Sequence, residues 1–137
     1  TVYIAGDSIA TNYALPEFGR EEYDNRYGWG EKLDFGEVSV VNRAVPGQST
    51  KNFNFDGIYS RLKKGDYVLI SFGHNDSTQN NDTIYVTVDQ YKSNLKNIIN
   101  TITLKNMVLV IVVILVRNFI LIGKILIKSK TIVGVNT

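Results

Sequence analysis

The chain has no cysteine, one methionine, one tryptophan, two prolines and a single histidine, His74, among 137 residues. Without cysteine there is no disulfide scaffold, no thiolate zinc site and no cysteine nucleophile. One imidazole excludes, within this chain, any mechanism that needs two and any three-histidine metal centre. Acid is missing from the last third. Residues 1–89 hold all 13 Asp and Glu beside 8 Lys and Arg, and residues 90–137 hold the other 7 bases alone. Such a split marks many nucleic-acid-binding and membrane-binding tails. Here the basic part is also dense in Ile and Val, so charge alone does not explain it. No run reaches the ~20 apolar residues of a membrane-spanning helix. Met107 to Val116 is apolar throughout, but Arg117 and Asn118 follow, and Phe119 to Ile127 contains Lys124. Polar groups near the middle of a span are costly. Neither a membrane nor a nucleic acid is an expected partner.

What is present describes one folded domain. Apolar residues make up 44% and charged residues 20%, and a chain of this length can bury a core without metals or cross-links. Four apolar runs stand out: Val2 to Ala5, Val38 to Val41, Tyr67 to Phe72 and Met107 to Val116. They are near-continuous and rich in Val, Ile and Tyr, as strands buried on both faces of a parallel sheet are. Helical patterns lie between them, at Trp29 to Phe35, at Phe53 to Leu62 and, most clearly, at Asp89 to Ile102. In the last, Tyr91, Leu95, Ile98, Ile99 and Ile102 repeat at three- and four-residue intervals and Asp89 stands as N-cap. Leu15 to Gly28 and Ser77 to Thr83 read as exposed loops. Strands alternating with helices predict an α/β fold of βαβ units on an open parallel sheet.

Three strand ends carry chemistry. Gly6-Asp7-Ser8 follows the first strand. A serine there, leading into a helix N-terminus, presents an exposed hydroxyl beside a positive dipole end, although Gly-Asp-Ser also reads as a plain turn with Ser8 as cap. The second strand runs into Asn42-Arg43-Ala44-Val45-Pro46-Gly47-Gln48-Ser49-Thr50, where Gly47 lets a substrate approach its backbone N–H and Pro46-Gly47 also marks a turn. The third ends in Gly73-His74-Asn75-Asp76. Asn75 offers an amide donor; Asn75 and Asp76 also read as turn or cap residues. His74 is either a general base or a structural hydrogen-bonding residue. Ligands of open parallel sheets bind beyond the carboxyl ends of the strands. A hydroxyl, a bare N–H and an amide on one rim are the parts of acyl transfer, a nucleophile with donors around developing negative charge.

With these residues in view, the chain resembles an SGNH (GDSL-type) hydrolase, and within that group the rhamnogalacturonan acetylesterases. The matching segments are Val2 to Ser8, Gly28-Trp29-Gly30-Glu31, Val41 to Ser49 and Gly65 to Asp76. The resemblance implies a three-layer αβα sandwich on a parallel, flavodoxin-like sheet, a truncated SGNH hydrolase fold, and a metal-free, cofactor-free serine esterase that removes acetyl groups from pectic carbohydrate. It makes Ser8 the nucleophile and Gly47 and Asn75 the other oxyanion donors, with His74 and Asp76 beside the site. It implies secretion. It also implies a base, a later His held by an Asp three residues before it, and no such pair occurs in these 137 residues. The expectation is therefore a single domain over residues 1–137, a C-terminally incomplete or frameshifted copy with impaired activity. Residues 118–137 form an atypical Ile- and Lys-rich tail, and an uncovered sheet edge favours self-association. The alternatives are a non-enzymatic remnant that binds acetylated carbohydrate, or another GDSL-type esterase or lipase.

Overall fold

A computed structural model describes residues 1–21, 25–106, 109–116 and 119–125. The first apolar run forms strand β1, Val2–Gly6, buried along its whole length. Strand β2, Val40–Asn42, lies parallel to it on one side, and strand β3, Tyr67–Ser71, parallel on the other. Strand β4, Leu109–Val116, pairs in parallel with β3. Strand β5, Phe119–Ile125, completes the order β2-β1-β3-β4-β5. That is the flavodoxin-like order expected of a doubly wound α/β sheet.

Among the described residues, four α and 3-10 segments fill the connections, three of them short. Helix α1 is Asp56–Tyr59 and helix α2 is Val88–Asn106; Pro16–Phe18 and Trp29–Glu31 are 3-10 turns. One face of the sheet is covered by Phe55, Ile58 and Leu62 from the α1 region and by Ile98, Ile99 and Ile102 of α2. These pack on Tyr3, Ala5, Val68, Ile70 and Phe72. On the other face Val2, Ile4, Ala10, Ala44 and Leu69 meet Trp29, Leu33 and Val40. The layer on that face is thinner than a full αβα sandwich predicts, because a single 3-10 turn supplies it among the described residues.

Several sequence boundaries move, each for a local reason. The run beginning at Val38 does not enter the sheet until Val40. Gly36 turns the chain with a left-handed φ of 66° while Asp34 Oδ1 accepts its N–H, and Val38 pairs with Phe35 in an isolated antiparallel bridge. The helix expected over Phe53 to Leu62 is regular for only one turn. Asn54 Oδ1 takes the Asp56 N–H at 2.9 Å, which blocks an earlier start. Helix α2 begins one residue before Asp89, and its cap is Thr87. The Thr87 hydroxyl accepts the Gln90 N–H (3.2 Å), and Gln90 Oε1 accepts the Thr87 N–H (2.8 Å). This reciprocal capping box leaves Asp89 in the first turn, where it opposes the helix dipole favourably. Thr87→Ala is expected to cost about 1 kcal/mol, read as a lower midpoint in urea unfolding.

The tail departs most from expectation. Phe119–Ile125 is an antiparallel partner of β4, with Val116 opposite Phe119 and Val110 opposite Ile125. Residues 107–108, 117–118 and 126–137 lie outside the described residues, so the atypical tail is seen only in part. No helix of the described residues is long and apolar enough to cross a membrane.

Candidate active site

Parallel pairing continues past the ends of the three central strands and gathers their loops. The Arg43 N–H donates to the Ile4 carbonyl (2.8 Å) and the Val45 N–H to the Gly6 carbonyl (3.0 Å). The Asp7 N–H reaches the Ser71 carbonyl at 3.3 Å. Ser8 therefore stands two residues beyond a point bonded to the Gly47 loop and one beyond a point bonded to β3.

No helix follows Ser8, which corrects the expected helix N-terminus. The chain instead closes a tight turn. Asp7 Oδ1 accepts the Ile9 N–H (2.9 Å), and the Asp7 carbonyl accepts the Ala10 N–H (3.1 Å) and the Thr11 hydroxyl (2.8 Å). These acceptors shape the turn and leave the Ser8 N–H out of it. Ser8 is half-buried. Any anion beside it is stabilised by discrete N–H groups rather than by a helix dipole.

Burial holds the Asp7 carboxyl above the usual carboxylate range, and the charge of Asp76 adds to that. The Ile9 N–H and His74 act the other way. A raised native value means that the ionised side chain weakens the fold. The penalty is absent below the unfolded-state value of about 4 and is complete once pH has passed the native value. Asp7→Asn keeps the acceptor for Ile9. It is expected to melt higher than wild type at neutral pH, with the gap closing as pH falls toward 4; thermal scans at stepped pH measure it.

Beyond β2, Val45 to Gln48 is a type II turn. Pro46 occupies its second position and Gly47 its third with φ of 78°, and the Gln48 N–H donates to the Val45 carbonyl at 3.3 Å. The turn faces Gly47 outward. A Cβ built there would meet no atom within 4 Å, so space for a ligand lies beside the peptide. Among the described residues, no acceptor takes the backbone N–H of Ser8 or of Gly47.

Asn75 Nδ2 donates to the Gln48 carbonyl at 2.8 Å. This bond joins the Gly47 turn to the turn after β3 and leaves the second hydrogen of the same amide uncommitted. The structure thus ties Gly47 and Asn75 directly, while Ser8 reaches the same rim through the Gly6 and Ser71 contacts. His74 is exposed, and only its carbonyl is engaged, accepting the Ser77 hydroxyl at 2.8 Å. Among the described residues its ring has no hydrogen-bond partner.

Asp76 is not a surface turn residue. It is 3% exposed, and Oδ1 accepts both the N–H of Thr50 (3.0 Å) and the Thr50 hydroxyl. Thr50, Asn94 and Tyr91 were not singled out for the site from the sequence. Asn94 Nδ2 donates to Thr50 Oγ1 (3.1 Å), and the Tyr91 hydroxyl donates to the Phe72 carbonyl (2.8 Å). Burial pushes the Tyr91 hydroxyl well above its ordinary value, with the charges of Asp76 and Asp7 adding to the effect. Both residues lie near the start of α2, where the four-residue repeat Tyr91, Leu95 read only as a core face. The polar partners on that turn carried no signal of their own.

Gly28-Trp29-Gly30 packs against the turn that carries Ser8. The Trp29 N–H donates to the Ile9 carbonyl at 2.9 Å, and Asn42 Nδ2 donates to the Ala10 carbonyl at 2.8 Å. Arg20 clamps Glu31 through one nitrogen to both carboxylate oxygens, at 2.7 and 2.8 Å. That bond anchors part of the expected surface loop; residues 22–24 of it lie outside the described residues.

The model of the GDSL-like Lipase/Acylhydrolase family matches residues 4–125. The chain belongs to this family. It is rhamnogalacturonan acetylesterase-like among SGNH hydrolases, as its relatives indicate. The probable rhamnogalacturonan acetylesterase YesY of Bacillus subtilis is 31% identical over 106 residues, which cover 72% of this chain and 46% of that protein. The rhamnogalacturonan acetylesterase of Emericella nidulans is 36% identical over 81 residues, or 56% of this chain and 28% of that one. RhgT of Bacillus subtilis, another rhamnogalacturonan acetylesterase, is 35% identical over 97 residues, 66% of this chain and 39% of its own. The crystal structure of protein YXIM from Bacillus subtilis superposes with a TM-score of 0.68 at 26% identity, over 84% of this chain and 32% of that chain. The chain thus spans less than half the length of the curated relatives it matches.

Proposed function

We propose that this domain carries the acylation half of an acetylesterase site for pectic carbohydrate, with Ser8 as nucleophile. In this reading Ser8 Oγ attacks the acetyl carbonyl carbon, and the N–H groups of Ser8 and Gly47 with the Asn75 amide receive the negative oxygen. The carbon–oxygen bond to the sugar then breaks and the sugar oxygen takes a proton. Water attacks the acetyl-serine and releases acetate. The observation that carries the reading is the pair of backbone N–H groups with no acceptor among the described residues, on a rim that also holds a serine hydroxyl and a half-committed amide. The substrate class comes from the relatives, three of which are named as rhamnogalacturonan acetylesterases.

The proton step has no base of the expected kind within these 137 residues. His74 is the only histidine, and Ser71 stands three residues before it where the resemblance calls for an Asp. A triad site without its base retains only the contribution of the oxyanion donors, about 10³- to 10⁴-fold over water. The test is acetate release from acetylated rhamnogalacturonan oligosaccharide and from p-nitrophenyl acetate, with Ser8→Ala alongside. The 137-residue chain is expected to turn over close to background on both. Fast, Ser8-dependent turnover would contradict the impaired-site reading and would make His74 the base to test next. Slow release that does not change in Ser8→Ala, with no acetyl-serine detectable, would contradict the esterase reading itself.

A further inference from the structure

We propose that Asp76 is a positioning residue for this site: acting through Thr50, it locks the turn that carries Gly47 to the turn that carries Asn75. The proposal rests on the ester-hydrolysis reading for its purpose and on geometry alone for the lock.

Gly47 is a donor only if its peptide stays aimed at the point that Asn75 also addresses. Nothing packs on Gly47 itself: it is exposed, and no group lies where its Cβ would be. What holds it is downstream. Thr50, three residues on, is buried and gives both its N–H and its hydroxyl to one oxygen of Asp76. Asp76 is the residue directly after Asn75, so one carboxylate oxygen fixes the two turns in register. The lock has a second bolt in the Asn75 amide on the Gln48 carbonyl at 2.8 Å. It also has a backing in α2, where Asn94 holds the Thr50 hydroxyl and Tyr91 holds the Phe72 carbonyl. The Val86 N–H on the Asp76 carbonyl (3.0 Å) ties the same residue to the approach to α2.

The other oxygen of Asp76 is buried with no partner among the described residues. A buried carboxylate with one oxygen unsatisfied is costly to fold around. A residue kept only for stability at this place would do better as a neutral acceptor. The charge does nothing for an oxyanion either, so the useful part of Asp76 is the Oδ1 acceptor that receives both Thr50 donors. This separates the variants. Asp76→Asn keeps that acceptor; Asp76→Ala removes it; Thr50→Val removes the hydroxyl half of the lock from the opposite side.

The experiment uses the 137-residue chain, labelled with nitrogen-15, and phenylboronic acid, which forms a tetrahedral adduct with a serine and so reads the oxyanion donors. In the unliganded protein, Asp76→Ala and Thr50→Val are expected to shift the Gly47 amide and the Asn75 side-chain amide while the amides of β1 and β3 stay in place. Asp76→Asn is expected to leave them near wild type. Boronate affinity should fall about tenfold in Asp76→Ala, as a small misplacement of donors implies, and should recover in Asp76→Asn. The double variant should be no worse than Asp76→Ala, because both changes break one link. Gly47 and Asn75 signals unmoved in Asp76→Ala, or effects of Asp76 and Thr50 that simply add, would overturn the proposal. Should Asp76→Ala fail to fold, Thr50→Val and Asp76→Asn carry the same comparison. Boronate that ignores Ser8 in wild type counts against the ester reading alone, and the unliganded amide shifts then decide the lock.

Discussion

Asn75→Ala is expected to slow acetylation of Ser8 by p-nitrophenyl acetate about 100-fold, with little change in the unfolding transition. Removing one oxyanion donor typically costs about 10²- to 10³-fold in rate. The lower end applies because the N–H groups of Ser8 and Gly47 remain in place. Asn75 is half-buried, and among the described residues its side chain makes one bond, to the Gln48 carbonyl at 2.8 Å. Losing a neutral hydrogen bond of that kind costs about 1 kcal/mol, too little to unfold the domain. Single-turnover nitrophenolate release at saturating ester separates the two effects. A rate unchanged from wild type would remove Asn75 from the proposed role, whatever the melting curve shows.

Gly28→Ala has the largest expected effect on folding. A Cβ at Gly28 would lie 2.1 Å from the Thr11 carbonyl oxygen and 2.5 Å from the Thr11 nitrogen. Both are backbone atoms in the turn that presents Ser8, and neither can swing aside. Gly30 is nearly as tight, with the Ala10 carbonyl oxygen at 2.4 Å and Asn42 Nδ2 at 2.5 Å. Overpacking of this kind typically costs 1–3 kcal/mol and occasionally more, and with backbone on both sides about 3 kcal/mol is expected at Gly28. Gly57→Ala is the matched control, since nothing lies within 4 Å of its Cβ position and it sits inside α1. Urea titrations should show a large loss for the first and none for the second. The Gly-Trp-Gly segment therefore fixes the backbone of the turn that carries Ser8.

The centre of the sheet was legible in the sequence because β1 and most of β3 are buried. Val2 to Ala5 and Tyr67 to Phe72 are near-continuous apolar runs, broken only by Ser71, and they became β1 and β3 with almost the expected ends. Helix α2 was legible for the same reason, from the spacing of Leu95, Ile98, Ile99 and Ile102, three of which are buried. Its cap was misread because Asp89 and Thr87 both suit the position, and only the reciprocal reach of Gln90 decides between them. The short α1 and the antiparallel β5 were not legible. One depends on which backbone N–H Asn54 captures, and the other on a partner strand rather than on periodicity. At the candidate site, Ser8, Gly47 and Asn75 were candidates from the sequence because each follows an apolar run. The Asp76–Thr50–Asn94 chain could not, because its members are 26 and 44 residues apart and meet only through the fold.

The most direct test of the central claim is to expose the chain to p-nitrophenyl acetate, quench, digest and map acetyl groups by mass spectrometry. If the three strand-end donors serve Ser8, a single acetyl group accumulates on the peptide containing Ser8 ahead of any lysine. It disappears in Ser8→Ala and forms slowly in Asn75→Ala. Acetyl groups scattered over the lysines, with Ser8 unmodified at the same exposure, would contradict it.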